Sequence, residues 1–555
     1  MIFKVTENSR ALAGIWCESG TERAADQLSA YIEKITGARL PMLSERIGKR
    51  FEIIFDGSVK NFRYGIEGDA FVIAAPDDVK AGWGVFYMLE ELAGCLFCTS
   101  EYEDIPKNPS LSLETENYIH KTAFEHNYVH YKDYMDHPIF AMKRGTFEMG
   151  YNDDEKNPMF GNGFAHSIFR LMDKNLYHTH PEYFCMRDGE RLKPKYSMTL
   201  GGGTAINNLQ PCLSHPDVLE IVCENLKKQM DSNPRALIWN VSQSDNFNYC
   251  QCPECAKIDE EEGSHLGSWL RFVNKVADRF PDKIISTLAY QFSRTPCKMT
   301  RPRKNVMITL CNIEAYRHRP IKTDPSNSQT RDELIEWRQQ TDGMFYWDYC
   351  IQFENLVSPF PNFRTLAENM KFFAEGGVSV MFSQGNREHL GEFAELRGYY
   401  LQQLAEDPTR DPDAIIERFC RAYYKDAAPY IVEYIRIMHD ALEASDYKLH
   451  IFDKIYLAKD SYLSREMYER YVDLFDKAEE AVKGDDVIMR HVRLARMPLY
   501  FAGIKLKYGT KAERYDMIAQ FSRLSLDNGV DMVWEIGRDT AMQFIRTSMA
   551  ELADE

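Results

Sequence analysis

The chain has 555 residues, 44% hydrophobic and 27% charged, which is too long for one core and too apolar for disorder, so several globular domains are expected. Its formal net charge is −17, and Arg301, Arg303 and Lys304 make only a short basic knot, so nucleic acid and anionic membranes are not expected as partners. There is no apolar run of about 18 residues to cross a membrane. The thirteen cysteines, an odd number, point to a reducing compartment rather than a disulfide framework. The opening MIFKVTENSR has no charged region followed by an apolar one, which reads as cytoplasmic; a chain trimmed of a leader would read the same way and would be periplasmic.

Residues 1–118 read as a small α/β domain. Ala24, Leu28, Tyr31, Ile32 and Ile35 recur at helical spacing and end at Gly37. Short strand-like runs come next at 51–55 and 70–75, then a helix from Lys80 to Leu92 that stops before Gly94. The stretch 102–112, broken by Pro106 and Pro109, closes the domain. From 119 to 395, apolar runs at 237–241, 284–290, 306–310, 344–347 and 378–382 alternate with amphipathic stretches at 218–230, 266–279, 331–340 and 365–375. This alternation predicts βα units on a parallel sheet. Five such runs, with three more expected within 122–213, predict a (β/α)8-type barrel, with an open doubly wound sheet as the alternative. From 396 to 555 the patterns are helical only; Asp411 before Pro412 is a helix start.

In a parallel barrel the chemistry sits at the C-terminal ends of the strands. The residues just after each apolar run supply Asp245, Glu314 and Asp348 as catalytic candidates, because glycoside hydrolysis needs two carboxyl groups flanking one bond. Asp245 is expected as the proton donor, with Glu314 or Asp348 as base or nucleophile. The same rim supplies His126, His166, Trp239, Tyr290, Arg317, His318, Trp347, Gln384 and Glu388 as sugar contacts, with the Arg317 fork placed to hold an acidic group. Aromatic residues make up 13% of the chain, which suits stacking on sugar rings as well as core packing. Eleven of the fourteen histidines fall between His120 and His389, without the H-E-x-x-H spacing of a catalytic metal. Cys250, Cys252 and Cys255 have metal-like C-x-C-x-x-C spacing, with Cys185, Cys212 or His265 as a fourth ligand; a zinc there would be structural, and the reaction itself requires no cofactor.

Residues 60–115, through Gly82-Trp83-Gly84-Val85-Phe86-Tyr87-Met88-Leu89-Glu90-Glu91, Gly94-Cys95 and Ile105-Pro106, resemble the N-terminal domain of bacterial α-glucuronidases and of β-N-acetylhexosaminidases. His180-Pro181-Glu182-Tyr183-Phe184, Ser244-Asp245-Asn246, the cysteine motif, Trp347-Asp348-Tyr349 and the segment 401–424 resemble bacterial glycan-degradation proteins that join this domain to an α-glucuronidase-like barrel. The resemblance spans roughly residues 20–445. It implies an exo-acting glycoside hydrolase that removes a terminal sugar, a uronic acid or an amino sugar, from an oligosaccharide or glycan, with inversion. The α-glucuronidases carry Glu where this chain has Asp245. The alternatives are a carbohydrate-binding protein on a barrel scaffold and a barrel lyase or metal-dependent hydrolase.

Overall fold

The computed structural model describes residues 1–146, 159–198, 204–388, 390–535 and 540–555. The first sheet is built from Gly14–Cys17 (β1), Arg50–Phe55 (β2), Arg63–Glu67 (β3), Ala70–Ala75 (β4) and Tyr118–Ile119 (β5), in the order β5-β3-β4-β2-β1. Two helices lie against it: Glu22–Thr36 (α1) and Asp78–Leu92 (α2). Helix α1 buries Ala24, Leu28, Tyr31, Ile32 and Ile35, and ends where Gly37 turns left-handed at φ 76°. Helix α2 starts at Asp77, whose carboxylate accepts the Lys80 amide at 2.8 Å.

The second sheet holds six strands, all parallel: His126–His130 (β6), Ile238–Asn240 (β7), Ile284–Ala289 (β8), Val306–Cys311 (β9), Met344–Tyr349 (β10) and Val378–Gln384 (β11). Their order is β6-β11-β10-β9-β8-β7. A seventh segment joins beyond β7 through a parallel bridge from Phe160 to Ile238. Helices Pro216–Ser232 (α3), Pro253–Glu262 (α4), Leu266–Arg279 (α5), Ser328–Arg338 (α6) and Phe363–Glu375 (α7) connect the strands.

The sheet is strongly curled. The Phe164 ring, just past the bridged segment, lies 5.8, 5.3 and 4.9 Å from the rings of Phe345, Trp347 and Phe382. In a flat sheet that segment would be roughly 19 Å from β10 and roughly 24 Å from β11, at about 4.8 Å per strand. The interior is thus a packed aromatic core, as in a barrel. Among the described residues, six strands and the bridged segment make up the curled sheet, and β6 and that segment are not hydrogen-bonded to each other; residues 147–158, which join them in sequence, lie outside the described residues. Of the stretch 122–213, expected to hold three units, the described residues supply β6 and the bridge, then short helical turns and two small antiparallel ladders, Met186–Arg187 with Glu190–Arg191 and Tyr196–Met198 with Thr204–Ile206.

After β11 the helices Ala394–Glu406 (α8), Pro412–Tyr423 (α9), Ala428–Glu443 (α10), Arg465–Ala481 (α11), Asp486–Leu506 (α12), Lys511–Asn528 (α13) and Ala541–Asp554 (α14) succeed one another. The Asp411 carboxylate caps α9 by accepting the Asp413 amide at 3.0 Å. Residues 530–535, after α13, return to the loop that follows β10: the Leu356 amide donates to the Val533 carbonyl at 2.9 Å. No helix among the described residues is long and apolar enough to cross a membrane.

Candidate active site

Because all six strands run the same way, their C-terminal ends and the loops after them form one mouth. Asp245 lies in the loop after β7. It accepts a hydrogen bond from the Tyr290 hydroxyl at 3.2 Å and from the Gln291 side-chain amide at 3.5 Å. His166 edges the Tyr290 ring at 5.8 Å and is fixed by a 2.9 Å contact from its Nδ1 to the Gln243 carbonyl. His166 and Gln291 both have φ of +51°. Left-handed backbone at two non-glycine residues costs of order 1 kcal/mol each and collects where function holds it.

Glu314, in the loop after β9, is 42% exposed and paired with the buried Arg294, which also holds Glu333 at 2.5 Å. Burial raises the Tyr290 and Tyr349 hydroxyls well above the usual phenol range, and the charges of Asp245 and Glu314 add to the effect at both. The four groups therefore share one neighbourhood.

Across the mouth, the Trp347 indole nitrogen donates to Gln384 Oε1 at 2.7 Å, and Gln384 Nε2 donates to Glu535 at 3.1 Å. Arg387 lies 3.1 Å from Glu388 and 3.9 Å from Glu535. Burial lifts Glu388 above the ordinary carboxyl range, and its Oε2 is buried with no hydrogen-bond partner. Glu535 is pushed up to about 7, first by burial and then by the charges of Glu388 and Asp245. Glu535, Arg387 and Arg294 were not expected from the sequence. Glu535 reaches the mouth on the segment between α13 and α14, 151 positions after its partner Gln384, and no local pattern marks it.

Several expected residues lie elsewhere. Phe345 and Trp347 of β10 face inward onto Phe164. Tyr346, between them, faces outward, stacked at 4.0 Å on Phe373 of α7. Asp348 has the parity of Tyr346 and is 1% exposed. It accepts from Asn312 Nδ2 at 2.7 Å and pairs with Arg317 at 3.7 Å, away from the mouth. Arg317 is 0% exposed, and its guanidinium is spent on the carbonyls of Tyr349 (3.0 Å), Asn312 (3.1 Å) and Ala315. It cannot reach an acidic sugar. His318 pairs with Asp324 at 3.4 Å and lines a surface hollow with Arg319, Arg364 and Glu443. His126 is the first residue of β6 and so lies at the opposite end of the sheet. His130, at the mouth end of that strand, stays neutral because burial lowers it to about 3.

Trp239 is fully buried and lies over Gly161, where a Cβ would come within 2.4 Å of the indole. It is a wall of the sheet, not of the mouth. We expect Gly161→Ala to cost about 1–3 kcal/mol by overpacking, read as a lower urea midpoint.

The thiols converge. Cys250, Cys252 and Cys255 are joined by Cys212, and the four buried sulfurs lie within 4.8 Å of one another. Cys185 is buried beside them without entering the group. His265 is stacked at 3.8 Å on Tyr249 and paired with Asp259 at 3.3 Å.

The family described as "Domain of unknown function (DUF4838)" matches residues 97–436. This chain belongs to the DUF4838 family. The DUF4838 region thus covers the curled sheet, its mouth as far as Glu388, and the helices into the first half of α10, but not Glu535. No curated protein matches the sequence.

Among solved structures, the chain is similar to a GH138 enzyme targeting pectin rhamnogalacturonan II. The TM-score is 0.52 at 10% identity, over 98% of this chain and 79% of that one. It is also similar to a family 89 glycoside hydrolase from Clostridium perfringens in complex with 2-acetamido-1,2-dideoxynojirmycin. There the TM-score is 0.53 at 11% identity, over 91% of this chain and 64% of that one. At these identities the likeness is one of fold.

Proposed function

We propose that this DUF4838 protein is a glycoside hydrolase of the exo type, acting on a terminal sugar of a glycan. One observation carries the reading: the mouth holds two carboxyl groups in contrasting settings, Glu535, half-buried and pushed up to about 7, and Asp245, exposed and held by Tyr290 and Gln291. Pairs of acids whose surroundings separate them are how one site supplies a proton and a carboxylate at the same pH. Glu535 is the proton donor to the leaving oxygen. Asp245 is the carboxylate that activates water or attacks the anomeric carbon. This exchanges the role expected for Asp245 and removes Asp348 from the chemistry. Trp347, Tyr290 and Gln384 contact the sugar ring, with His166 positioning Tyr290. Glu314, clamped by Arg294, adds negative field where an oxocarbenium charge develops.

The charge of the mouth bears on the substrate. With Glu535 holding the proton, Asp245, Glu314 and Glu388 outnumber Arg294 and Arg387, and both arginines are already paired with glutamates. With Arg317 buried, a neutral or amino sugar fits this field better than the uronic acid that α-glucuronidase likeness implies. The inverting course expected from the resemblance requires the two carboxyls about 6.5–9.5 Å apart.

The test is a panel of aryl glycosides bearing hexosyl, N-acetylhexosaminyl and glucuronyl groups, with the first-formed anomer read by proton NMR. Release of a neutral or amino sugar, with turnover lowered by at least about 10²-fold in Asp245→Asn, is the expected result. Binding without release across the panel would remove the hydrolase reading. Preference for glucuronides would restore the uronic acid.

A further inference from the structure

We infer that Cys212, Cys250, Cys252 and Cys255 form a structural zinc site, which fastens the loop carrying Asp245 to the segment 207–215. Four thiolates around zinc, with Zn–S near 2.3 Å, place the sulfurs about 3.8 Å apart at the corners of a tetrahedron. Here the Cys212 and Cys252 sulfurs are 3.6 Å apart, and all four lie within 4.8 Å of one another. The 3.6 Å separation is too long for a disulfide bond of about 2.05 Å. All four are buried, and the chain's thirteen cysteines are all free. Packing of neutral thiols does not require four to converge on one point from two distant stretches of chain; a shared ion does.

The surroundings suit a thiolate cluster of net charge −2. Cys252 is the N-cap of α4 and Cys255 lies in its first turn, so the positive end of the helix faces the sulfurs. The Met186 amide donates to the Cys250 sulfur at 3.4 Å. The Ser214 hydroxyl lies 3.3–3.4 Å from the sulfurs of Cys252, Cys212 and Cys255. Arg191 brings a guanidinium that interacts with Cys212, Cys250 and Cys252. Such donors are the outer partners that orient metal-bound thiolates.

The site has a mechanical consequence. Just ahead of Cys212 and of Cys250, the two stretches are laced together. Gln210 donates to the Ser244 carbonyl at 2.7 Å and accepts the Ser244 amide at 3.1 Å. Asn246 donates to the Leu209 carbonyl at 3.1 Å, and Asn248 to the Asn208 carbonyl at 2.8 Å. Asp245 sits in the middle of this lacing. The ion is remote from the reacting bond in role: all four ligand positions are taken by protein sulfur, which leaves none for water or substrate.

The experiment is elemental analysis of the purified full chain with site variants, and it does not depend on the hydrolase reading. We expect about one zinc per chain, as in a closed tetrathiolate site. Cobalt exchanged into the site should give the visible absorption of a tetrahedral thiolate centre. Cys212→Ser should lose the metal and Cys185→Ser should keep it. Stripping zinc with a mercurial and a chelator should lower the melting temperature and raise hydrogen exchange in residues 242–256. If Cys212→Ser does not fold, X-ray absorption at the zinc edge of the wild-type protein decides the ligands, four sulfurs being the expected shell. A folded, metal-free chain with four free thiols would overturn the inference, as would a shell containing nitrogen or oxygen, or metal retained by Cys212→Ser and lost from Cys185→Ser.

Discussion

Glu535→Gln should lower turnover of substrates with poor leaving groups by about 10²–10⁴-fold, the usual contribution of a positioned general acid. Dinitrophenyl glycosides, whose leaving group needs no proton, should lose far less. The pH profile should change with it. A donor pushed up to about 7 is protonated below that value, so wild-type activity should fall as pH rises through about 7. In Glu535→Gln this alkaline limb should vanish.

In Glu535→Gln, stability should move the opposite way to activity. A carboxyl raised from its ordinary value of about 4.3 binds more protons in the folded than in the unfolded state between that value and about 7. Its contribution is therefore favourable at low pH and is lost as pH rises across that window. Glu535→Gln escapes the loss, so above about pH 7 it should melt higher than the wild type while being less active. A variant that loses activity and stability together at every pH would mark Glu535 as a structural residue, and the proton donor would have to be sought elsewhere.

Asp348→Asn should act on folding and not on chemistry. The carboxylate is buried with the Arg317 guanidinium at 3.7 Å and the Asn312 amide at 2.7 Å. Removing its charge leaves a buried cation uncompensated, which costs about 3–5 kcal/mol. The urea midpoint should fall accordingly, and Arg317→Met should recover part of the loss in combination, because replacing both partners removes the stranded charge. At a temperature where the variant is folded, its kcat should stay within a few-fold of wild type. A loss of several orders of magnitude in kcat with unchanged stability would return Asp348 to the mouth and refute the outward parity read from Tyr346 and Phe373.

Which segments become strands and helices was legible in the order of the residues alone. Runs such as 284–290, 306–310 and 378–382 are mostly apolar, broken only by Ser and Thr, because both faces of a parallel sheet are covered, and the strands Ile284–Ala289, Val306–Cys311 and Val378–Gln384 lie where those runs lie. Chain direction was legible too, so Asp245, Glu314, Tyr290, Gln384 and Glu388 could be assigned to one rim.

What a run buried on both faces cannot reveal is which face each side chain takes. In Met344–Tyr349 every residue is buried, so no alternation of polar and apolar positions separates Trp347, turned inward, from Asp348, turned to the helix layer. The same ambiguity hid Trp239, while Arg317, in the loop after β9, is buried by the carbonyls of Tyr349, Asn312 and Ala315, which no local pattern marks. Partners that come from far along the chain were settled by tertiary packing. Cys212 stands 38 positions before Cys250, and Glu535 lies beyond six further helices; neither separation leaves a periodic trace. Local periodicity records which side of an element is dry, and it carries no information on which distant segment supplies the covering atoms.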